Sequence, residues 1–166
     1  MKMNNFKIEY LADRPDCLQA CAAWAYGRWG IQKKDGSLER AISIFEEGMQ
    51  KDTIPFTLVA INLETDLPVA MGSVWIKDGT EWPEKTPWIA SIYTLYRYRG
   101  LGLAKHIIKR LEAEAINIGF QKVYLQSGSA ANFYRNLGYE EIETIKTNVT
   151  ASGTETLFIK KFNTRE

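Results

Sequence analysis

Between Pro87 and Gly119 the apolar pattern changes period within a few residues, and two glycines mark the change. PWIASIYTLY is apolar on both faces, which fits a strand lying centrally in a sheet. Leu103, Ile107, Leu111, Ala115 and Ile118, flanked by Ala104 and Ile108, then make one apolar face of a helix, with Gly119 as its C-terminal stop. Strand, tight turn and helix follow one another with no linker. A helix N-terminus placed this way presents amides that lack intrahelical acceptors, and the helix dipole adds about half a positive charge. Gly100 and Gly102 let the backbone approach a ligand closely, while Arg97, Arg99 and Lys105 add local charge, so the segment predicts a polyanionic ligand.

Upstream of this segment, Lys7 to Leu11 is a short strand; Pro15 stands where a helix can begin, and Leu18, Cys21, Ala22, Ala25 and Trp29 recur at helical spacing up to Gly30. Ser37 is placed to cap a second helix with Leu38, Ile42, Phe45 and Met49 as its buried stripe. PFTLVAINL and VAMGSVWIK are β-rich and ETDLP between them is turn chemistry, so an antiparallel hairpin is expected, leading into the loop DGTEWPEKTP. After the long helix come a strand from Lys122 to Gln126, a short helix in SGSAANFYRNLG ended by Gly138, and a strand pair, Tyr139 to Asn148 and Thr154 to Phe162. The order β, α, α, β, β, β, α, β, α, β, β departs from the regular alternation of a doubly wound domain. It predicts an α/β (α+β) fold: one domain over 1–166 with a mixed, largely antiparallel central sheet of about six to seven strands, flanked by about four helices.

The chain is 45% hydrophobic, enough to build a core, and its 21 Lys and Arg nearly balance its 20 Asp and Glu. Neither nucleic acid nor an anionic membrane is therefore an expected partner. MKMNNFKIEYL lacks the apolar core of a signal peptide and no stretch approaches the ~18 apolar residues of a membrane helix, so the expected location is cytoplasmic. Cys17 and Cys21, four apart, match neither a Cys-x-x-Cys pair nor a zinc pattern; they read as core residues, and no metal is expected. His106, between the apolar stripe and the charged Lys109 and Arg110, reads as a boundary side chain rather than an acid or base.

The spacing of the glycine turn fails two phosphate motifs: the dinucleotide fingerprint needs glycine where Lys105 stands, and the Gly-Lys-Ser/Thr ending of a P-loop is absent. Arg99, two residues, Gly102, one residue, Ala104 instead resembles the signature of the GNAT superfamily of N-acetyltransferases, namely Gln or Arg, x, x, Gly, x, Gly or Ala. NFYRNLGYE, with Tyr134 four residues before Gly138 and Tyr139, resembles that family's second signature, and the order of elements is similar from end to end. The resemblance implies a GNAT-like sheet and acetyl-CoA as acyl donor. Backbone groups of Ile92, Tyr93 and Thr94 would pair with the pantetheine arm, while the turn from Arg99 through Gly100, Leu101, Gly102, Leu103, Ala104 and Lys105 would hold the pyrophosphate. Asn132 or Ser127 would lie near the thioester. Tyr134 would be the acid or thiolate stabiliser, and an N–H near Thr94 the oxyanion donor where that strand end bulges.

Two departures from the family pattern stand out: Tyr96 and Arg97 replace the common Pro and acidic residue after the strand, and Ser127 replaces an Asn before the helix tyrosine. Glu81 and Glu84 precede the central strand, but exposed loop glutamates are ordinarily solvated and a water relay serves as well, so no base is assigned. The acceptor is an amine of a small molecule or a protein, with specificity placed in the helix pair from Trp24 to Gln50 and the loop from Asp78 to Pro87. Trp75, Trp82, Trp88 and Tyr93 are candidates to line its pocket. Two other readings use the same turn: an acyl-CoA-binding module without catalysis, and a nucleotide-binding protein. A C-terminal sheet edge would offer a homodimer interface.

Overall fold

Seven strands build one sheet: β1 (Phe6–Tyr10), β2 (Phe56–Asn62), β3 (Leu67–Trp75), β4 (Trp88–Thr94), β5 (Lys122–Ser127), β6 (Glu140–Lys146) and β7 (Thr154–Lys161). Among the described residues four α-helices accompany them: α1 (Leu18–Arg28), α2 (Leu38–Glu47), α3 (Leu103–Ile118) and α4 (Ala131–Asn136). The computed structural model describes residues 2–163; Met1 and 164–166, the ends of the expected 1–166 unit, lie outside the described residues. The spatial order is β1-β2-β3-β4-β5-β7-β6, antiparallel at every step except the parallel pair β4–β5. This is the mixed, mostly antiparallel sheet that the order of elements predicts.

Side-chain alternation along the strands divides the core between two layers. On one face α3 buries Ile107, Ile108, Leu111 and Ala115 against Phe56, Leu58 and Ala60 of β2, Val123 and Leu125 of β5 and Phe158 of β7. On the other, α1 and α2 bring Cys21, Ala22 and Phe45 onto Val59, Ile61 and Met71. Each large apolar side chain removed from water in this way contributes ~1.5–3 kcal/mol. Both thiols are fully buried, and that burial pushes Cys17 up to about 11 and Cys21 up to about 12. Ser37 caps α2 as its spacing suggests, its Oγ accepting the Arg40 N–H at 3.1 Å, and Gly119 ends α3 in the left-handed region.

The local differences from the sequence reading have physical causes. The β2–β3 turn is tighter than ETDLP: Leu67 and Pro68 already pair with Asn62 and Ile61, because Asn62 Oδ1 accepts the Glu64 N–H and Asp66 adopts φ 55° to close the turn. The central strand stops at Thr94, since Tyr96–Tyr98 wind into a 3-10 turn.

Strand β4 is irregularly paired on both sides. Its parallel ladder with β5 consists of the single pair Trp88 and Tyr124, secured by the Tyr124 N–H on the Pro87 carbonyl at 2.9 Å; beyond it the ladder stops and leaves a seam in the sheet. On its other side β4 carries a bulge. Met71 faces Tyr93 and Ser73 faces Ala90, so Ser91, at φ 54°, and Ile92 together oppose Gly72. Only glycine fits there, because a Cβ on residue 72 would lie 2.7 Å from both Ile92 and Ile107 and 2.9 Å from Leu111.

Candidate active site

The turn into α3 is held by two residues in the left-handed region, Gly100 at φ 78° and Gly102 at φ 83°. The first intrahelical bond of α3 runs from the His106 N–H to the Gly102 carbonyl at 3.1 Å. The six main-chain N–H groups from Gly100 to Lys105 meet no acceptor among the described residues, and no side chain caps the helix. His106, exposed, turns Nδ1 to the same Gly102 carbonyl at 2.8 Å, so its ring braces the turn. Arg99 reaches back, its Nε donating to the Thr94 carbonyl at 3.0 Å, which ties the turn to the end of β4.

These groups open onto a cavity of about 460 Å³ that occupies the seam. Ile92, Tyr93 and Thr94 form its β4 wall, and Arg99, Gly100, Gly102, Leu103, Ala104 and Lys105 its turn and helix end. Ala130, Phe133 and Tyr134 close it from the α4 side. The Tyr134 ring is wedged between those of Phe133, Tyr139 and Phe158, with centroids 5.1–5.9 Å apart, and burial pushes its hydroxyl up to about 12.

Behind Tyr134 lies a buried polar knot that fixes α4. Tyr139 donates its N–H to the Tyr134 carbonyl at 3.1 Å and its hydroxyl to Glu112 Oε1 at 2.8 Å. Lys160 Nζ donates to Glu112 Oε2 at 2.9 Å and to the Leu137 carbonyl at 2.7 Å. A carboxylate inside a protein is tolerable only when paired and hydrogen-bonded in this manner.

Of the residues that the resemblance places on the cofactor, Leu101, Asn132 and Ser127 lie off the cavity lining. Leu101 packs its side chain on the α3-side core and has only its amide in the turn. Asn132 is exposed, and its Oδ1 accepts from Arg135 at 2.6 Å. Ser127 Oγ accepts the Ala130 N–H at 3.1 Å and so shapes the entry to α4. Of the four aromatic candidates Tyr93 alone lines this cavity: Trp75 packs edge-on against Phe45, and Trp82 and Trp88 form a separate core with Tyr124 and Leu157. Glu81 accepts from the Thr80 N–H in its own loop.

Arg28, at the last turn of α1, also faces the cavity, although no motif or period distinguishes it in the sequence; the packing of α1 beside β4 puts it there. A second cavity, of about 270 Å³, adjoins the first and shares Arg28, Tyr93 and Arg99 with it. Its remaining lining is Ala23, Trp24 and Gly27, and the Trp24 and Tyr93 rings stack at 5.4 Å with 26° between their planes. Among the described residues no carboxylate lines either cavity, whereas Arg28, Arg99 and Lys105 do. Six free amides in a row with cations beside them are the donor set of a polyphosphate site. Among the described residues no group of three or more His, Cys, Asp or Glu is arranged to hold a metal ion, and no helix is long and apolar enough to cross a membrane.

The fold has many solved counterparts. The chain superimposes on an aminoglycoside 6'-N-acetyltransferase complexed with coenzyme A at TM-score 0.73 and 15% identity, covering 96% of this chain and 99% of that one. YncA from Salmonella typhimurium, with its cofactor acetyl-CoA, matches at TM-score 0.73 and 16% identity over 98% and 96% of the two chains. In sequence, N-alpha-acetyltransferase 80 of Mus musculus is 24% identical over 136 residues, 80% of this chain; the chain spans 41% of the length of that relative. Residues 18–139 match the model of the Acetyltransferase (GNAT) family, a span that takes in both cavity walls, the α3 turn and Tyr134. The chain belongs to the acetyltransferase (GNAT) family.

Proposed function

We propose that the protein transfers an acetyl group from acetyl-CoA to a primary amine by direct attack of the amine on the thioester. The observation that carries this reading is the run of six amides, unpaired among the described residues, at a cavity that Tyr134 also lines. The coenzyme complexes of the two structural counterparts support it. In this reading the amides from Gly100 to Lys105, with the Lys105 ammonium, hold the pyrophosphate, and Arg99, tied to the Thr94 carbonyl, braces the turn. The seam beside Ile92, Tyr93 and Thr94 takes the pantetheine arm. Bound acetyl-CoA supplies a thioester carbonyl as the electrophile.

The chain's own groups do the rest. Tyr134 Oη keeps its proton up to about pH 12. Burial raises this hydroxyl further above a thiol, so complete transfer of its proton to a thiolate is uphill and its role is hydrogen-bond donation to the departing sulfur. The bulge at Ser91 and Ile92 frees backbone from the β3 ladder at the cavity wall, which supports an oxyanion-binding N–H at this end of β4. With neither carboxylate nor imidazole lining either cavity among the described residues, proton removal from the amine is assigned to water.

Ligand-linked stabilisation tests the reading. Acetyl-CoA at ~100 times its Kd should raise stability by about 2.7 kcal/mol, with no shift from NAD or ATP. Thiol release over a panel of amines then separates the enzyme from a binding module: binding without release of CoA from any amine would leave the non-catalytic module. A shift with ATP or NAD alone would leave the nucleotide-binding reading instead.

A further inference from the structure

The smaller cavity carries information about the acceptor. Two guanidinium groups, Arg28 and Arg99, line it together, and neither is ion-paired to a carboxylate among the described residues. Arg99 is held by Nε on the Thr94 carbonyl with its guanidinium 5.7 Å from the Tyr96 ring centroid, Arg28 lies 5.7 Å from the Trp29 ring centroid, and the terminal nitrogens of both meet no hydrogen-bond acceptor among the described residues. Both belong to exposed residues, so water screens their repulsion while the recess is empty; an anion brought between them gains from both, and the fork geometry of guanidinium suits a carboxylate in particular. The phosphates of the proposed donor already have six amides and Lys105 in the adjoining cavity, so they do not need Arg28. The rest of the small cavity is Ala23, Gly27 and the stacked pair Trp24 and Tyr93. Its volume of about 270 Å³ falls below the ~300–1,000 Å³ typical of sites for drug-sized ligands.

We infer that the acceptor is a small amine bearing its own carboxylate, such as a free apolar or aromatic α-amino acid, clamped by Arg28 and Arg99 with its side chain on the Trp24–Tyr93 stack. This rests on the acetyltransferase reading and specifies its substrate class. A polycation such as an aminoglycoside would meet cations in both cavities and, among the described residues, no carboxylate in either. The same two charges disfavour the ammonium form of the bound amine and so enlarge the reactive neutral fraction. In the reaction the amine lone pair forms a C–N bond to the acetyl carbon and the C–S bond breaks. Its electron pair leaves on sulfur, and the amine proton passes to water.

The test pairs each acid with its amide at saturating acetyl-CoA, measuring thiol release with L-phenylalanine against L-phenylalaninamide, L-methionine against L-methioninamide, and kanamycin. Binding of N-acetyl-L-phenylalanine and of its amide in the presence of CoA is titrated in parallel. The free acids should be preferred at least tenfold in kcat/KM, and the acetylated acid should bind at least tenfold more tightly than its amide. Arg28→Gln should erase that preference through the KM of the acid while the Kd of acetyl-CoA stays within twofold, and Arg28→Glu should reverse it. Equal or opposite preference, no binding of the acetylated acid, or an acetyl-CoA Kd that follows Arg28 instead would overturn the inference. Absence of any acetyl-CoA shift in the wild-type protein would instead bring down the acetyltransferase reading beneath it.

Discussion

Lys160→Met isolates the knot that fixes α4. The substitution keeps a chain of similar length but removes the ammonium, which lies 5.3 Å from the Tyr139 ring centroid; among the described residues this leaves Glu112, only 8% exposed, with the Tyr139 hydroxyl as its one donor and the Leu137 carbonyl without its 2.7 Å partner. Breaking one side of a fully buried ion pair costs ~3–5 kcal/mol. The Lys160 side chain is 25% accessible, so water can reach the vacated position and the lower end applies, about 3 kcal/mol. For a chain of this length that corresponds to a fall in Tm of roughly 6–12 °C. Urea unfolding should show the midpoint moving with an unchanged slope. Adding Glu112→Gln removes the orphaned charge but preserves an acceptor for Tyr139, so the double variant should be more stable than Lys160→Met alone. A loss below 1 kcal/mol, or a double variant less stable than the single one, would refute the claim that this pair is what locks the helix carrying Tyr134.

Tyr134→Phe removes a hydroxyl that has no hydrogen-bond partner among the described residues, so Tm should hold while kcat falls by about 10- to 150-fold, the worth of one hydrogen bond to a charged group; unchanged turnover in a thiol-release assay would remove it from the mechanism. Gly72→Ala should cost ~1–3 kcal/mol by overpacking Ile92, Ile107 and Leu111, measured by urea denaturation, with neutrality arguing that the bulge relaxes freely. Cys17 and Cys21 should resist thiol reagents in the native state at pH 8 and both react in urea. Because burial raises both thiols above their unfolded value near 8.5, the stability they contribute is complete below about pH 8 and is lost as pH rises toward 11–12, which a urea series against pH would detect.

How much of the molecule is legible in the sequence depends on how local each signal is. The extent of α3 is written in its own residues, a 3.6-residue stripe closed by Gly119, and the glycine turn announces itself through Gly100 and Gly102. The bulge at Ser91 has no such local mark, because it arises from the register of β4 against Gly72 some twenty residues away, imposed by the packing of α3 over both. Arg28 is illegible for a related reason: its place depends on how α1 lies across β4. Trp82 misleads in the opposite way, sitting in a polar loop yet buried once that loop folds back and its Nε1 donates to Glu143 of β6.

The seam beyond Trp88 and Tyr124 bears on how the molecule comes apart. A continuous ladder spreads local opening across a sheet, and where it is interrupted the strands on either side can open as separate units. Strands β1 to β4 form one such block and β5 to β7 the other, connected in sequence through α3. A molecule lodged in the gap and bonded to both margins would fuse the two into one cooperative body. Occupancy of the cleft should then register as slowed amide exchange in strands that the ligand never touches.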